Sequence, residues 1–392
     1  MLGSFAHIDI TPDKPLSPAC TDVGNDPSCG VGIPLEANIA VLNDDGRRLV
    51  VVTVDWFFNS ITLRDRIQEK CGGLLGSPDL LVAASHTHSS PNPDRTKWRF
   101  NPADEDYVRW AEETIAKRVY QLLVSPDWQP IVLRFGTAAS DGVIHRRRRA
   151  WSITRAGLRK RMSIFPNQDG PCDREIRVLR FEKADGALMA VAWGLSCHPT
   201  EWPEPRQLSA DFPGVVRVAL RKKLANDLPV LFLQGFCGSL RPACIGRWPR
   251  SGALMRRCMN AVLSLVNGPG FVGFTASEYA DWANRIEMNL MRALQAASKE
   301  TQINPALQTR RTTISLSTLG VSGDIQEVSF QAIRMSQDLI IVAISAEVCW
   351  EYADLLQACF PGMRLWLVGY SDAVFGYLPT SGSLLRASKG DE

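Results

Sequence analysis

Three apolar runs in this chain of 392 residues each lead into a side chain that can bind a metal. Residues 79–84 precede His86 and His88, residues 188–193 precede His198, and residues 340–346 precede Glu347. Short apolar runs of this kind indicate buried strands. Because α/β proteins place their chemistry at the carboxyl ends of strands, the runs predict an α/β fold with one metal site shared by several strand ends.

His86 and His88 are two of only five histidines in the chain. Successive strand residues face opposite sides of a sheet, so both imidazoles are expected on one face, with Thr87 pointing away. Two imidazoles at one point suit a metal ion better than a hydrophobic core. The spacing alone is a weak signal and is equally compatible with a structural role. A tyrosine, Tyr370 or Tyr377, follows the third run and can also bind a metal.

Short motifs recur in order along almost the whole chain. They are Ile8-Asp9-Ile10-Thr11-Pro12, His86-Thr87-His88, Asp173 with Val178-Leu179-Arg180-Phe181, Cys197-His198-Pro199-Thr200, Ser209-Ala210-Asp211-Phe212-Pro213-Gly214, Gln234-Gly235 with Gly238, Glu347, and Gly369-Tyr370 with Gly376-Tyr377. In this order the motifs resemble the amino-terminal catalytic domain of the neutral/alkaline (non-lysosomal) ceramidase family. The resemblance implies a metal-dependent fold of that kind.

The resemblance implies a Zn²⁺ ion held by four side chains. By position in the motifs these are His86, His198, Glu347 and Tyr377, with Tyr370 as the alternative to Tyr377. Two neutral imidazoles, a carboxylate and a phenolate leave room for water, which is typical of catalytic rather than structural zinc.

Two further residues are implied to be catalytic. His88 is expected beside the reacting centre, in contact with substrate, and Arg146 near the scissile carbonyl. The expected function is hydrolysis of an amide (N-acyl) bond through a metal-activated water. Two alternatives remain: a related acyl-transfer or amide-forming reaction, and a degenerate member that binds a ligand without catalysis.

The chain departs from the family pattern at three places. Ser239 stands where the family has an aspartate, and Arg241 stands where it has an asparagine or serine. Residues 386–392 lack the family's late tyrosine, and no immunoglobulin-like carboxyl domain follows in this sequence. We therefore do not carry over the family's lipid specificity.

A dense basic block spans residues 145–161. It contains seven arginines and Lys160 with no acid, whereas the whole chain has a net charge of only +3. Such a block can be a nucleic-acid patch, a solvated basic loop, or a loop beside the metal that selects carboxylate or phosphate. The expected place of Arg146 favours the third interpretation, so we predict a small, anionic substrate and no nucleic-acid partner.

Composition sets wider limits. The 45% hydrophobic and 22% charged content is that of a soluble globular protein. No apolar run reaches the roughly 18 residues that span a membrane, and the first residues lack a secretory signal, so cytoplasmic residence is expected. No repeat or linker divides the chain. We expect one domain, residues 1–392, with mixed β-sheets at its centre and helices outside.

Hydrophobic periodicity predicts the individual elements. Strands are expected at 37–42, 48–54, 131–135, 175–181, 187–193, 230–233, 310–316, 325–332 and 338–344, and helices at 64–71, 102–124, 213–224, 277–298 and 348–359. Residues 1–34 are expected to be extended or looped.

Overall fold

A computed structural model describes residues 1–20, 24–154, 157–247, 254–300, 302–321 and 323–381. The helices are α1 Leu63–Cys71, α2 Glu105–Val124, α3 Asp211–Leu224, α4 Leu254–Asn267, α5 Ala276–Lys299 and α6 Glu351–Cys359. The strands of the first half are β1 Leu2–Asp9, β2 Gly30–Ile33, β3 Glu36–Asp44, β4 Arg47–Val54, β5 Leu80–Ala84, β6 Gln129–Pro130, β7 Val132–Ala139, β8 Val143–Thr154, β9 Gly157–Asn167, β10 Glu175–Glu182 and β11 Leu188–Gly194. Those of the second half are β12 Gln207–Ser209, β13 Val230–Phe232, β14 Leu240–Pro242, β15 Ile245–Gly246, β16 Gly270–Phe271, β17 Gln308–Ser315, β18 Glu327–Arg334, β19 Leu339–Ile344, β20 Glu347–Val348, β21 Arg364–Val368 and β22 Tyr377–Leu378.

Three mixed sheets form the centre. Their strand orders are β5-β4-β3-β1-β6, β13-β11-β10-β7 and β17-β18-β19-β21. Each contains one parallel pair, β4 with β5, β11 with β13, and β19 with β21, while the remaining pairs are antiparallel. The predicted mixed α/β architecture is confirmed.

Helices cover the outer faces of the sheets. Ile115 and Val119 of α2 pack on Val50 and Val52 of β4 in one core. In a second core α5 covers β7 and β10, and its start is fixed by a capping box between Thr275 and Glu278.

A third core lies between the sheets. It joins Leu81 of β5 to Leu179 of β10 and to Ile341 and Trp366 of the last sheet. Because the strands that precede the predicted site residues share this core, their carboxyl ends are held at fixed relative positions.

Within residues 1–34 the segment Leu2–Asp9 is extended and pairs with residues 36–43 of β3, in keeping with the prediction of extended or looped structure. Two other segments differ from the prediction. The basic block is not a loop but most of a long hairpin, β8 with β9. Helix α4 was not predicted. Among the described residues no helix combines the length and hydrophobicity needed to cross a membrane.

Candidate metal centre

The three apolar runs end at one place, as predicted. His86 follows β5, His198 follows β11, and Glu347 follows β19. Glu347 begins the short strand β20, which pairs in parallel with β22 and so sets Glu347 directly opposite Tyr377. The chain thereby brings residues from four separate segments to one edge of the sheets.

The first two histidines do not lie on a strand. Strand β5 ends at Ala84, and His86 takes a left-handed conformation with φ of 64°. The predicted strand alternation is therefore wrong as the cause, although the rings still converge: the centroids of His86 and His88 are 5.0 Å apart, and those of His86 and His198 are 4.9 Å apart. Thr87 points away and donates its hydroxyl to the Ser209 carbonyl at 2.7 Å.

Backbone carbonyls fix the orientation of all three imidazoles. Nδ1 of His86 lies 2.7 Å from the carbonyl oxygen of Phe57, and Nδ1 of His88 lies 3.2 Å from that of Cys20. Nδ1 of His198 lies 2.7 and 2.9 Å from the carbonyl oxygens of Cys237 and Leu240. A carbonyl oxygen can only accept, so each Nδ1 carries the proton. In the neutral ring Nε2 then presents a lone pair, and the three ring atoms that could bind a metal lie within 4.8 Å of one another.

Burial keeps these rings neutral. Removal from water lowers the pKa of His88 to about 4 and lowers the pKa values of His86 and His198 well below the usual histidine range. Near pH 7 all three rings are therefore neutral, which is the form that can bind a metal.

The lone pairs meet a carboxylate. Glu347 Oε1 lies 2.8 Å from Nε2 of His198 and 3.7 Å from Nε2 of His86. The Nε2 atoms of His86 and His88 are buried and have no hydrogen-bond partner among the described residues. Buried acceptors that face one another are unfavourable unless a cation or a proton lies between them. The three histidines could thus hold a metal ion, and the donor set suits one.

Arg146 is held against this centre. It is buried, and its Nε and Nη2 donate to the Gly238 carbonyl at 3.2 and 3.0 Å. Nη2 also donates to the Tyr377 hydroxyl and lies 3.6 Å from Glu347 Oε1. A Cβ at position 238 would come within 3.0 Å of the carbonyl oxygens of Glu347 and Val348. Glycine is therefore required where residue 238 packs against that backbone.

The two candidate tyrosines have different surroundings. The Tyr377 hydroxyl contacts Arg146 and Glu347. Although the residue is 43% exposed, removal of its hydroxyl from water, followed by the nearby Glu347 charge, raises its pKa. The Tyr370 hydroxyl instead lies 3.0 Å from Cys237 Sγ, and its ring stacks on His86 at 4.1 Å. Tyr370 thus packs against His86, whereas the Tyr377 hydroxyl contacts the carboxylate of Glu347.

Sequence reasoning missed several supporting residues. The Phe57 ring stacks on His86 with centroids 4.8 Å apart, and nothing in its local pattern indicated this. Ser239, a departure from the family pattern, donates to Glu351 at 2.7 Å, and Nε2 of His145 lies 3.2 Å from the same carboxylate. Burial by itself raises the pKa of Glu351, but these hydrogen bonds outweigh it and lower that pKa to about 2. Ser239 therefore joins the segment behind Arg146 to helix α6. Residues 386–392, in which the family's late tyrosine is missing, lie outside the described residues.

No protein-family profile matches this sequence, and no curated protein matches it. Solved structures that match its fold include two of ceramidases. One is the crystal structure of neutral ceramidase from Pseudomonas aeruginosa, with a TM-score of 0.71 and 16% identity over 97% of this chain and 69% of that one. The other is a ceramidase complexed with C2, with a TM-score of 0.72 and 16% identity over 97% and 70% of the two chains. The fold implied by the sequence motifs is thereby confirmed.

Proposed function

We propose that this chain, which has the fold of neutral ceramidase, is a zinc-dependent hydrolase of N-acyl amide bonds. The observation that carries the proposal is the cluster of three neutral imidazoles, two buried and that of His88 partly buried, with the carboxylate of Glu347 beside His198 and His86. Zinc takes nitrogen and oxygen ligands of this kind in catalytic sites.

His86, His198, Glu347 and Tyr377 would hold the ion. A bound Zn²⁺ supplies Lewis acidity, which polarises a carbonyl group and lowers the pKa of water. The Nδ1 contacts with backbone carbonyls keep the histidine rings in one tautomer and one orientation, as expected of support behind metal ligands.

His88 would handle the proton. Its Nδ1–H is held by the Cys20 carbonyl, so Nε2 is the atom that can accept a proton from the attacking water. The same atom can then deliver that proton to the leaving nitrogen. The low pKa of His88, about 4, ensures that this atom is unprotonated at the start of the reaction near pH 7.

Arg146 would stabilise negative charge that develops on the carbonyl oxygen. Its guanidinium is fixed by Gly238 and Tyr377 before substrate arrives, so little reorganisation is needed. A preorganised donor of this kind contributes roughly 3 kcal/mol to transition-state stabilisation in other hydrolases.

We further propose that the preferred amide carries an anionic group, bound by Arg147. The Arg147 guanidinium lies 5.8 Å from the centre of the Tyr377 ring, next to the metal centre. Arg148 is turned away: it donates to the Asn267 carbonyl and lies over the Phe165 ring. Arg147 and not Arg148 should therefore select substrate.

Metal analysis and amide hydrolysis together test the proposal. Protein purified without added metal should contain about one zinc per chain, and chelation should abolish amine release from an N-acylglycine until zinc is restored. His198→Ala should lose both zinc and activity, whereas His7→Ala, in strand β1, should lose neither. A folded protein that takes up no zinc, or hydrolysis unaffected by chelator, would contradict it.

Substrate selection needs a separate comparison. Arg147→Gln should raise the KM for an N-acylglycine more than for the matching neutral N-acylethanolamide, because a uniform binding contact is lost. Arg148→Gln is the matched control and should change neither. Equal effects on the two substrates would mean that Arg147 does not bind the anionic group.

A further inference from the structure

The basic hairpin has one face that carries both apolar and basic side chains. Residues opposite each other in an antiparallel pair share a face. The register pairs Trp151 with Lys160, Ile153 with Leu158, Arg149 with Met162, and Arg147 with Ile164. These pairs alternate with the pairs of the opposite face and so lie together.

That face is turned to solvent. Trp151, Ile153, Leu158 and Ile164 are 39%, 50%, 56% and 56% exposed. Arg149 and Lys160 between them are exposed as well. Large apolar side chains gathered on one exposed face mark an interaction surface more often than scattered ones do.

The opposite face and the outer edge are anchored. Ala150 is buried, and Arg148 is engaged with Asn267 and Phe165. The Asn267 side chain also binds the backbone N–H and C=O of Trp151 at 2.8 and 2.9 Å. The hairpin is therefore fixed to the end of helix α4, and no described residue covers its exposed apolar side chains.

Helix α4 adds its own exposed apolar side chains. Val262, Leu265 and Val266 are 65%, 76% and 63% exposed, and Met259 is 37% exposed. Because Asn267 ends this helix and binds Trp151, the helix and the hairpin are neighbours on the surface.

We infer that the hairpin face and helix α4 together dock on an anionic lipid bilayer. The basic side chains on this face are Arg147, Arg149 and Lys160, and residues 145–161 contain no acid, so the face complements an anionic surface. Tryptophan and aliphatic side chains among basic ones suit the boundary between headgroups and acyl chains, where apolar tips insert while charges meet phosphates. Nucleic acid would use the charge but leave the exposed isoleucines and leucines unexplained.

The docking face reaches the metal centre. Arg147 belongs to this face and lies beside Tyr377 at the centre. A docked chain would therefore hold its metal centre next to the lipid headgroups. Only this consequence rests on the proposed function; the docking itself is independent of catalysis.

Co-sedimentation of the full chain with vesicles tests the inference without any turnover. We expect binding to vesicles of phosphatidylcholine containing phosphatidylglycerol, and much weaker binding to phosphatidylcholine alone. Replacing the apolar tips with Trp151→Ala and Leu158→Ser should weaken partition by about tenfold or more. Replacing charges with Arg149→Gln and Lys160→Gln should remove the preference for phosphatidylglycerol and its sensitivity to salt.

Matched controls lie on other helices. Leu355→Ser on α6, where the side chain is also 56% exposed, and Trp110→Ala on α2, where it is 45% exposed, should bind vesicles like the parent. Unchanged far-ultraviolet circular dichroism and an unchanged thermal unfolding midpoint will show that the hairpin variants are folded.

Three results would overturn the inference. The first is vesicle binding equal in the parent and the hairpin variants. The second is a parent dimer that the Trp151 and Leu158 changes dissociate, with no vesicle binding, which would make this face a contact between copies. The third is tight, salt-dependent binding to duplex DNA without vesicle binding.

Discussion

Replacing Glu347 with glutamine should stabilise the metal-free protein and destabilise the zinc-bound protein. Without a metal, Oε1 of Glu347 faces the Nε2 lone pair of His198 at 2.8 Å. A glutamine amide can donate a hydrogen bond to that nitrogen instead, whereas it is a poorer zinc ligand than a carboxylate. The two states should therefore respond with opposite signs.

The size of each response follows from simple terms. Satisfying a buried acceptor with a hydrogen bond should stabilise the metal-free protein by about 1–2 kcal/mol. Unfolding entropy is about 2.1 cal/mol/K per residue, so 1 kcal/mol in a chain of 392 residues shifts the unfolding midpoint by about 1 °C. A hundredfold loss of zinc affinity would remove about 2.7 kcal/mol of zinc stabilisation, or about 3 °C.

Differential scanning calorimetry with chelator and with saturating zinc measures both responses. Glu351→Gln is the informative control, because the carboxylate of Glu351 contacts His145 and Ser239 outside the centre. Its pKa of about 2 shows a carboxylate stabilised by the fold. Its loss should lower the midpoint in both conditions and leave the zinc increment unchanged.

One result would refute the reasoning on tautomers. If His198 carries protons on both nitrogens in the metal-free protein, it forms an ion pair with Glu347. Glu347→Gln would then destabilise the metal-free protein by several degrees. The lone pairs inferred from the carbonyl contacts would not exist.

Three other predictions follow from the same structure. Burial raises the pKa of Asp211 from 3.8 to about 6, so the native chain keeps a proton that the unfolded chain releases first. The free energy of unfolding should fall by about 3 kcal/mol between about pH 3 and pH 7 on this account, and Asp211→Asn should flatten that slope in urea titrations relative to exposed Asp281→Asn. His88→Ala should keep its zinc by elemental analysis but lose most of kcat; lost zinc would place His88 in the ligand set. Tyr377→Phe should weaken zinc binding measured by competition with a chelator, whereas Tyr370→Phe should not, and the reverse order would exchange their roles.

Much of the centre could be predicted because its residues follow strong local signals. His198 and Glu347 each come just after an apolar run, and such runs form strands whichever sheet they join. The strands that precede these residues belong to three different sheets, and the core between the sheets brings their ends together. The class of fold and the expectation of a shared site were readable in the sequence, but the packing of the sheets was not.

The supporting contacts could not be predicted, because they depend on backbone geometry. A carbonyl carries no sequence signature, so nothing showed that Phe57 or Cys237 would fix an imidazole. The left-handed conformation of His86 could not be predicted either, because residues other than glycine rarely adopt it and a histidine does not indicate it. The hairpin was missed for another reason. Because a charged residue, Arg149, lies on the same face as Trp151 and Ile153, the hydrophobic pattern of a strand is weak there.

The stacking of Tyr370 on His86 has a consequence for how the chain is made. The two rings lie 4.1 Å apart in space but at distant points in the sequence, and Tyr377 comes later still. A chain that emerges from the ribosome in order displays its first histidine pair long before these partners exist. The entropy of closing so long a loop can be offset only when both ends are present. Stable capture of the metal would thus wait for translation past residue 377, and metal content in truncated chains would record how far synthesis had gone.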